Sequence, residues 1–129
     1  MNVLLDTCAF LYWVSQSPKL SARARETIED PDNRIFFSAA SAMEIAIKQH
    51  SGKLILPDAA DRYVPSKLQE HSFERIDIAV EHALHVYSMQ WHHKDPYDLL
   101  ILSQCILLGL PVLSDDTKFG SYPVTVIWK

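Results

Sequence analysis

Short apolar segments alternate with segments of helical periodicity along the whole chain. Strands are predicted for the apolar segments at residues 2–5, 34–37, 75–78, 111–114 and 124–128. Helices are predicted between them, at residues 7–17, 21–30, 38–48, 79–90 and 98–108. Because strands and helices alternate, the pattern predicts an α/β fold with about five parallel strands and helices on both faces of the sheet. No repeat or linker interrupts the pattern, so we expect one domain over residues 1–129.

Prolines and glycines set several of the predicted helix boundaries. Ser21 is a typical N-cap for the second helix, and Pro31 follows the end of that helix. Gly109 is expected to end the helix that precedes it. A further helical stretch begins near residues 57–58. We expect Pro65 to divide that stretch into two short helices, because proline lacks the amide hydrogen of a helical residue.

Two of the predicted helices carry apolar side chains that need a partner. Val80, Leu84 and Tyr87 share one face of the helix at residues 79–90, and we expect this face to pack on the core. The helix at residues 98–108 is apolar nearly all round. It is therefore expected to lie in the core or at a subunit interface.

The composition is that of an ordinary globular domain. The chain has 129 residues, of which 48% are hydrophobic and 22% charged, and this excludes disordered, collagenous and low-complexity classes. No segment approaches the roughly 18 to 20 apolar residues of a membrane-spanning helix. Asp6 interrupts the first apolar segment before a signal-peptide core could form. We therefore expect a cytoplasmic protein.

The cysteine count and the net charge exclude further classes of protein. Cys8 and Cys105 are too few for a disulfide framework or a cysteine-rich zinc site, and we expect both to be buried free thiols. The 12 Lys and Arg residues stand against 16 Asp and Glu residues, which gives a formal charge of −4. The basic field that is typical of a nucleic-acid-binding protein is therefore missing.

Four acidic residues from separate segments fall near the carboxyl ends of predicted strands. Asp6 follows the first strand, Glu44 lies in the helix after the second, Asp98 begins the helix before the fourth, and Asp116 follows the fourth strand. In open α/β sheets, ligands bind beyond the carboxyl ends of the strands. We therefore expect these four carboxylates to meet at one edge of the sheet.

Clustered carboxylates repel one another unless protons or cations neutralise them. A ligand set made only of oxygen atoms suits hard divalent ions such as Mg²⁺ or Mn²⁺, which complete their coordination with water and substrate phosphate. The four acids therefore predict a metal site that acts on a phosphate ester.

Each acid also has a structural interpretation when it is considered alone. Glu44 could form a capping box with Ser41, and Asp98 or Asp95 could cap the helix that follows them. The pair at residues 115–116 could form a solvated turn. Asp6 is the least ordinary of these acids, because the residue after a buried strand usually points into the binding crevice.

The histidines offer a competing metal site. His82 and His85 are three residues apart on a predicted helix, and His92 and His93 follow. Zinc is the metal that such a set would favour. However, His82 and His85 are predicted on the exposed side of their helix, and no established zinc motif is present. We expect all four to be solvated or capping residues.

The motifs carried by these residues resemble those of the PIN-domain family, and in particular of its VapC-type toxin ribonucleases. The resemblance extends over essentially the whole chain, in blocks at residues 3–7, 37–48, 52–54, 93–98, 113–116 and 122–128. It implies that the acidic quartet of the family falls on Asp6, Glu44, Asp98 and Asp116.

The resemblance also assigns supporting positions. The hydroxyls of Thr7 and Ser114 match the positions beside the first and the last acid, and Ser114 favours Asp116 over Asp115. Leu99 departs from the family pattern, since many relatives have arginine there, and its cationic role could fall to Lys94.

The implied activity is that of an endoribonuclease dependent on Mg²⁺ or Mn²⁺. Asp6, Asp98 and Asp116 are expected to hold one or two ions, with Glu44 binding directly or through water, for in-line attack on the RNA phosphodiester by metal-activated water. The implied partners are an RNA substrate, a cognate antitoxin and a second copy of the chain, with no membrane.

Two other functions remain open. One is an inert binding module of the same fold. The other, less favoured, is a phosphatase with an aspartyl nucleophile at Asp6, although such enzymes carry a second acid where this chain has Cys8.

The proposed site also accounts for the missing basic field. Without the four site acids, the rest of the chain is formally neutral. Bound divalent ions would place positive charge where the phosphate lies, so we expect RNA binding itself to depend on metal.

Overall fold

A five-stranded parallel sheet forms the centre of the computed structural model, which describes residues 1–129. The strands are β1 (Asn2–Leu5), β2 (Arg34–Ser38), β3 (Glu74–Ile76), β4 (Val112–Leu113) and β5 (Val126–Ile127). Their order in the sheet is β3-β2-β1-β4-β5, and all four pairings are parallel. The predicted α/β architecture is confirmed.

Six α-helices and two 3₁₀ helices connect the strands. The α-helices are α1 (Thr7–Val14), α2 (Ala22–Glu29), α3 (Ala39–His50), α4 (Ala60–Glu70), α5 (Val80–His85) and α6 (Pro96–Leu108). The 3₁₀ helices cover Val86–Ser88 and Thr117–Ser121. Ser21 caps α2 by accepting a hydrogen bond from the Ala24 amide, and Gly109 ends α6 with a φ of 67°, as their positions in the sequence predict.

Apolar side chains cover both faces of the sheet. Val3 and Leu5 point to one face, where they join a cluster that includes residues of α1, α2, α3 and α4. Leu4 points to the other face and joins a cluster that contains four residues of α6. This alternation is the period of two that a strand buried on both sides requires. The apolar character of α6 is thus explained by the core of the same chain.

The strand order reverses beside β1, and this point positions the candidate site. The chain proceeds from β1 to β2 and β3 on one side, and then crosses to β4 and β5 on the other. Such a switch leaves a crevice at the carboxyl ends of the two strands on either side of it, here β1 and β4. Asp6 and Ser114 directly follow these two strands.

The prediction that Pro65 divides a helix is wrong. α4 continues through Pro65 without a break, from Ala60 to Glu70. The proline removes the hydrogen bond to the carbonyl of Asp61, which is an exposed residue, and its ring crowds that carbonyl. Val64 and Leu68 flank it and are buried in the core, each contributing about 1.5 to 3 kcal/mol. Packing therefore outweighs the local cost of about 3 kcal/mol.

The predicted orientation of the helix at residues 79–90 is also wrong. The segment forms only α5 and a 3₁₀ turn, and the side chains of Val80, Leu84 and Tyr87 are 70%, 68% and 93% exposed. The opposite side faces α6, because the Ser103 hydroxyl donates to the carbonyl of His82 at 2.7 Å. His82 is half-buried and has the capping role that was one of its two expected roles, since its Nδ1 accepts the amide of Ala79, the N-cap of α5, at 3.0 Å.

The expectation that both cysteines are buried was partly wrong. Both cysteines are free thiols, but only Cys105 is buried, whereas Cys8 is exposed. No helix has the length and apolar character needed to cross a membrane.

Candidate metal-binding active site

The four acids from separate segments line one cavity of about 290 Å³ at the carboxyl edge of the sheet. Asp6 follows β1, Glu44 lies on the second turn of α3, Asp98 on the first turn of α6, and Asp116 follows β4. The cavity is also lined by Thr7, Cys8, Lys48, Asp95 and Asp115. The parallel topology thus brings together the carboxylates that the sequence analysis singled out.

Asp6 is the most buried of the four acids, with 4% of its surface exposed. Its Oδ1 accepts the Ala9 amide at 2.7 Å and caps α1. Burial raises the pKa of Asp6 to about 7, and the charges of Asp115 and Asp116 add to that effect. The Ser114 hydroxyl and the Ala9 amide oppose it only in part. Near neutral pH, this carboxyl is therefore poised to exchange its proton for a cation.

The pKa of Asp98 is also raised. Burial is the main cause that raises its pKa to about 8, followed by the negative charges of Asp95, Asp6 and Glu44. Asp95, not Asp98, caps α6, since the Asp95 Oδ1 accepts the amides of Tyr97 and Asp98. The capping interpretation thus applies to Asp95 and leaves the carboxylate of Asp98 available.

Glu44 is held by two neighbours. The Thr7 hydroxyl donates to its Oε1 at 2.6 Å, and Lys48 lies 2.5 Å from its Oε2. The capping-box interpretation is wrong, because Ser38 caps α3 and Ser41 is buried within it. Thr7 instead links Ser41 and Glu44 across α1 and α3. The predicted supporting position at Thr7 therefore lies in direct contact with an acid of the cluster.

Asp116 is fixed by its own turn. Its amide donates to the Ser114 hydroxyl at 3.0 Å, and its Oδ1 accepts the Lys118 amide at 2.9 Å, which caps the second 3₁₀ helix. Asp115 lies beside it and reaches the Tyr12 hydroxyl at 3.4 Å. Ser114 therefore contacts the backbone of Asp116, as its spacing from that residue predicts.

Two members of the site, Lys48 and His93, were not predicted to lie with these acids. Lys48 is the cation of the cluster, and its position four residues after Glu44 is a detectable signal on a helix. His93 is buried rather than solvated, and its Nε2 lies 2.7 Å from Asp116 Oδ2 and 3.1 Å from Asp98 Oδ2. No sequence spacing rule links His93 to these acids.

Two lysines are candidates for the cationic role of the missing arginine. Leu99 is buried in the apolar cluster that contains Leu4 and other residues of α6. A cation at its position would therefore lose a core contact. Lys94 is exposed. Lys48, in contrast, lines the cavity with the acids.

The donor set fits a divalent metal ion. Carboxylate oxygens of Asp98 and Asp116 lie within 4.8 Å of each other and of a ring nitrogen of His93, and Asp6 lines the same cavity as the two carboxylates. Burial and mutual repulsion hold the pKa of two of the carboxyls near or above 7, so an ion of charge +2 would replace protons there.

Comparison with known proteins agrees with this architecture. The family model of the PIN domain matches residues 3–124. Ribonuclease VapC16 of Mycobacterium tuberculosis (strain ATCC 25618 / H37Rv) is 36% identical over 72 residues, which cover 53% of this chain and 51% of that protein. The match with this curated relative thus spans about half of its length.

Solved structures share the fold at low identity. A chain of VapBC2 from Rickettsia felis, solved bound to a promoter DNA fragment, has a TM-score of 0.74 and 18% identity, with 100% of both chains covered. A chain of a toxin-antitoxin complex from Klebsiella pneumoniae has a TM-score of 0.64 and 19% identity, with 97% of this chain and 95% of that chain covered. These likenesses establish the fold, and the family model extends over nearly the whole sequence. The chain therefore belongs to the PIN-domain family.

Proposed function

We propose that this chain is a metal-dependent endoribonuclease and the toxin of a toxin-antitoxin pair, with its nuclease domain spanning residues 1–129. The observation that carries the proposal is the convergence of Asp6, Glu44, Asp98 and Asp116 on one cavity at the switch point of the sheet. The similarity to a protein named as a ribonuclease supports the reaction class.

Mg²⁺ or Mn²⁺ is the proposed cofactor, because the donors are mainly carboxylate oxygens. Asp6, Asp98 and Asp116 would hold the metal. When bound, such an ion supplies Lewis acidity toward a phosphate oxygen and activates water for hydrolysis. Both carboxylate oxygens of Glu44 already have partners in Thr7 and Lys48, which favours a role for Glu44 through water.

Three neighbouring residues orient the acids of the cluster. Thr7 and Lys48 fix the carboxylate of Glu44 from two sides, and Ser114 fixes the turn that presents Asp116. The side chain of Lys48 is 43% exposed, so its ammonium group is also available to a phosphate of the RNA backbone. Lys48 therefore takes the cationic role proposed for the arginine that this chain lacks.

The proposed partners are RNA, an antitoxin protein and a second copy of the chain, all in the cytoplasm. The structural neighbours include a toxin-antitoxin complex, which supports a protein that covers the toxin. The exposed apolar side chains of Val80, Leu84, Tyr87 and Trp91 lie close together in sequence around α5 and are the surface we propose for the dimer.

The decisive experiment is incubation of the purified protein with total RNA in EDTA, Mg²⁺ or Mn²⁺, with the ends of the fragments mapped. Cleavage should require the metal and should disappear in Asp6→Asn and Asp116→Asn, both of which should remain folded. Asp32→Asn is the matched control, because Asp32 is exposed and does not line the cavity, and this variant should cleave normally. Full cleavage by Asp116→Asn would refute the assignment.

The same samples separate the two alternatives. An inert module would bind no Mn²⁺ at millimolar concentration and would leave RNA intact. A phosphatase with an aspartyl nucleophile would release phosphate from small phosphate esters and carry a phospho-aspartate at Asp6. Neither result is expected.

A further inference from the structure

His93 is the one imidazole within the acidic cluster, and its ring is almost fully enclosed. The side chain is 9% exposed. Its ring lies edge-on to Phe119 with centroids 6.0 Å apart, and its backbone amide donates to the Tyr122 hydroxyl at 3.0 Å. The ring therefore has little freedom to turn.

The Nε2 atom of this ring faces two carboxylates at once. It lies 2.7 Å from Asp116 Oδ2 and 3.1 Å from Asp98 Oδ2. Two functions fit these distances. Either Nε2 joins the two carboxylates as a metal ligand, or an Nε2–H group donates hydrogen bonds to them.

The opposite side of the ring decides between these functions. The backbone amide of Asp95 donates to His93 Nδ1 at 3.1 Å. An amide hydrogen cannot be turned away, because Asp95 is the N-cap of α6 and its side chain is bound to the amides of Tyr97 and Asp98. Nδ1 must therefore present a lone pair, and the hydrogen of the neutral ring is assigned to Nε2.

This tautomer is incompatible with metal ligation through Nε2. A histidine that binds a metal through one nitrogen carries its hydrogen on the other, which it usually donates to a carboxylate, a carbonyl or water. Here the other nitrogen faces a hydrogen-bond donor instead of an acceptor. A metal on Nε2 would force two N–H groups to point at each other.

We propose that His93 is a positioning residue that holds Asp98 and Asp116 together through its Nε2–H group and does not itself bind the metal. The inference rests on the proposed metal-dependent function. The two carboxylates repel each other, and the shared hydrogen-bond donor offsets that repulsion while leaving their other lone pairs to the ion. His93 thus prearranges two ligands that come from different segments of the chain.

The first test reads the tautomer directly. Long-range ¹H–¹⁵N correlation spectra of the ¹⁵N-labelled protein distinguish a ring with hydrogen on Nε2 from one with hydrogen on Nδ1. The Nε2–H form is expected for His93 both in EDTA and with saturating Mg²⁺, and His93→Gln identifies the signal. A change to the Nδ1–H form on adding Mg²⁺ would show metal ligation and overturn the proposal.

The second test compares two variants, each of which places an amide near the position of one ring nitrogen. His93→Gln places an amide donor near the position of Nε2, whereas His93→Asn reaches only to the position of Nδ1. Loss of an outer-shell partner typically weakens metal binding about 10- to 100-fold. We expect Mn²⁺ affinity, measured by calorimetry, to fall by this amount in His93→Asn and to stay within about threefold of the wild type in His93→Gln.

Two further readouts keep the result unambiguous. Both variants should show a single cooperative melting transition in EDTA, with His93→Asn melting below His93→Gln, so that a change in Mn²⁺ affinity is not a failure to fold. Pulsed electron paramagnetic resonance of bound Mn²⁺ should show no directly coordinated nitrogen in the wild type. Coordinated nitrogen that disappears in His93→Gln, or wild-type affinity in His93→Asn, would refute the positioning role.

These measurements contain no RNA. The proposed nuclease activity fails if the wild type binds Mn²⁺ but cleaves no RNA, whereas the role of His93 fails on the tautomer and on the affinities of the variants. The two failures are therefore distinguishable.

Discussion

Replacing Asp6 with Asn should stabilise the metal-free protein at pH 8 relative to the wild type, although the substitution removes a carboxylate from the proposed site. The pKa of Asp6 is raised from 3.8 to about 7, mainly by burial. The folded protein thus holds a proton there that the unfolded chain has already released. Below about pH 4, Asp6 is protonated in both states and does not lower the unfolding free energy. Between about pH 4 and pH 7, the unfolding free energy falls as the pH rises, because only the unfolded chain releases this proton.

The size of the effect follows from the shift. One pKa unit corresponds to about 1.4 kcal/mol, and about two units lie between pH 5 and the folded-state pKa of Asp6. With 4% of the residue exposed, solvent screens little of this energy. The wild type should therefore lose roughly 2 to 3 kcal/mol of stability at this residue between pH 5 and pH 8. Asn cannot ionise, and its Oδ1 can still accept the Ala9 amide.

Urea denaturation in EDTA at pH 5 and pH 8 measures this effect. The difference in unfolding free energy between Asp6→Asn and the wild type should move in favour of the variant by roughly 2 to 3 kcal/mol from pH 5 to pH 8. The Asp6 charge also helps to raise the pKa of Asp98, so the variant should relieve part of the pH-dependent loss of stability at Asp98 as well, in the same direction. Asp32→Asn, at an exposed residue, should show no such change. A difference between Asp6→Asn and the wild type that is independent of pH would refute the reasoning.

Four further outcomes are expected. Lys48→Met should tighten Mn²⁺ binding, measured by calorimetry, and weaken RNA binding, because it removes the positive charge beside Glu44. Binding of a fluorescent, non-cleavable RNA analogue to the wild type should weaken in EDTA, since the chain has a formal charge of −4. Gln104→Leu should lower the unfolding free energy by about 1 to 3 kcal/mol in urea titrations, because the buried Ser38 hydroxyl loses its acceptor. Leu84→Glu should shift a dimer to monomer in sedimentation, whereas Ile55→Glu, at an exposed residue of a different segment, should not.

The order of strands and helices was predictable from the sequence because buried strands and helices impose different periodicities. Which face of a short helix packs was not. Val80, Leu84 and Tyr87 form an apolar face, but the contact that orients α5 is a hydroxyl of Ser103 on α6, which only the folded chain brings near. Pro65 shows the same limit, since its local cost is outweighed by distant packing.

The convergence of the acids was predictable for a topological reason. Parallel strands end at one edge of the sheet, so Asp6 and Asp116, which follow β1 and β4, had to lie near each other. The partners of these acids were less accessible. Lys48 carries a local signal in its helical spacing from Glu44, but the contact of His93 with Asp116 spans 23 positions and depends on how the loop before α6 turns.

Asp6 and Asp116 are both helix caps and proposed metal ligands, and this affects which substitutions could remove the proposed activity without unfolding the chain. Asp6 and Asp116 each accept a backbone amide at the start of a helix, so replacement by Ala removes a cap worth about 1 kcal/mol together with a candidate ligand. Asn keeps the cap, and a single nucleotide change converts an aspartate codon into an asparagine codon. Under the proposed toxin function, Asn at either position is therefore a short mutational route to a folded protein without the proposed activity.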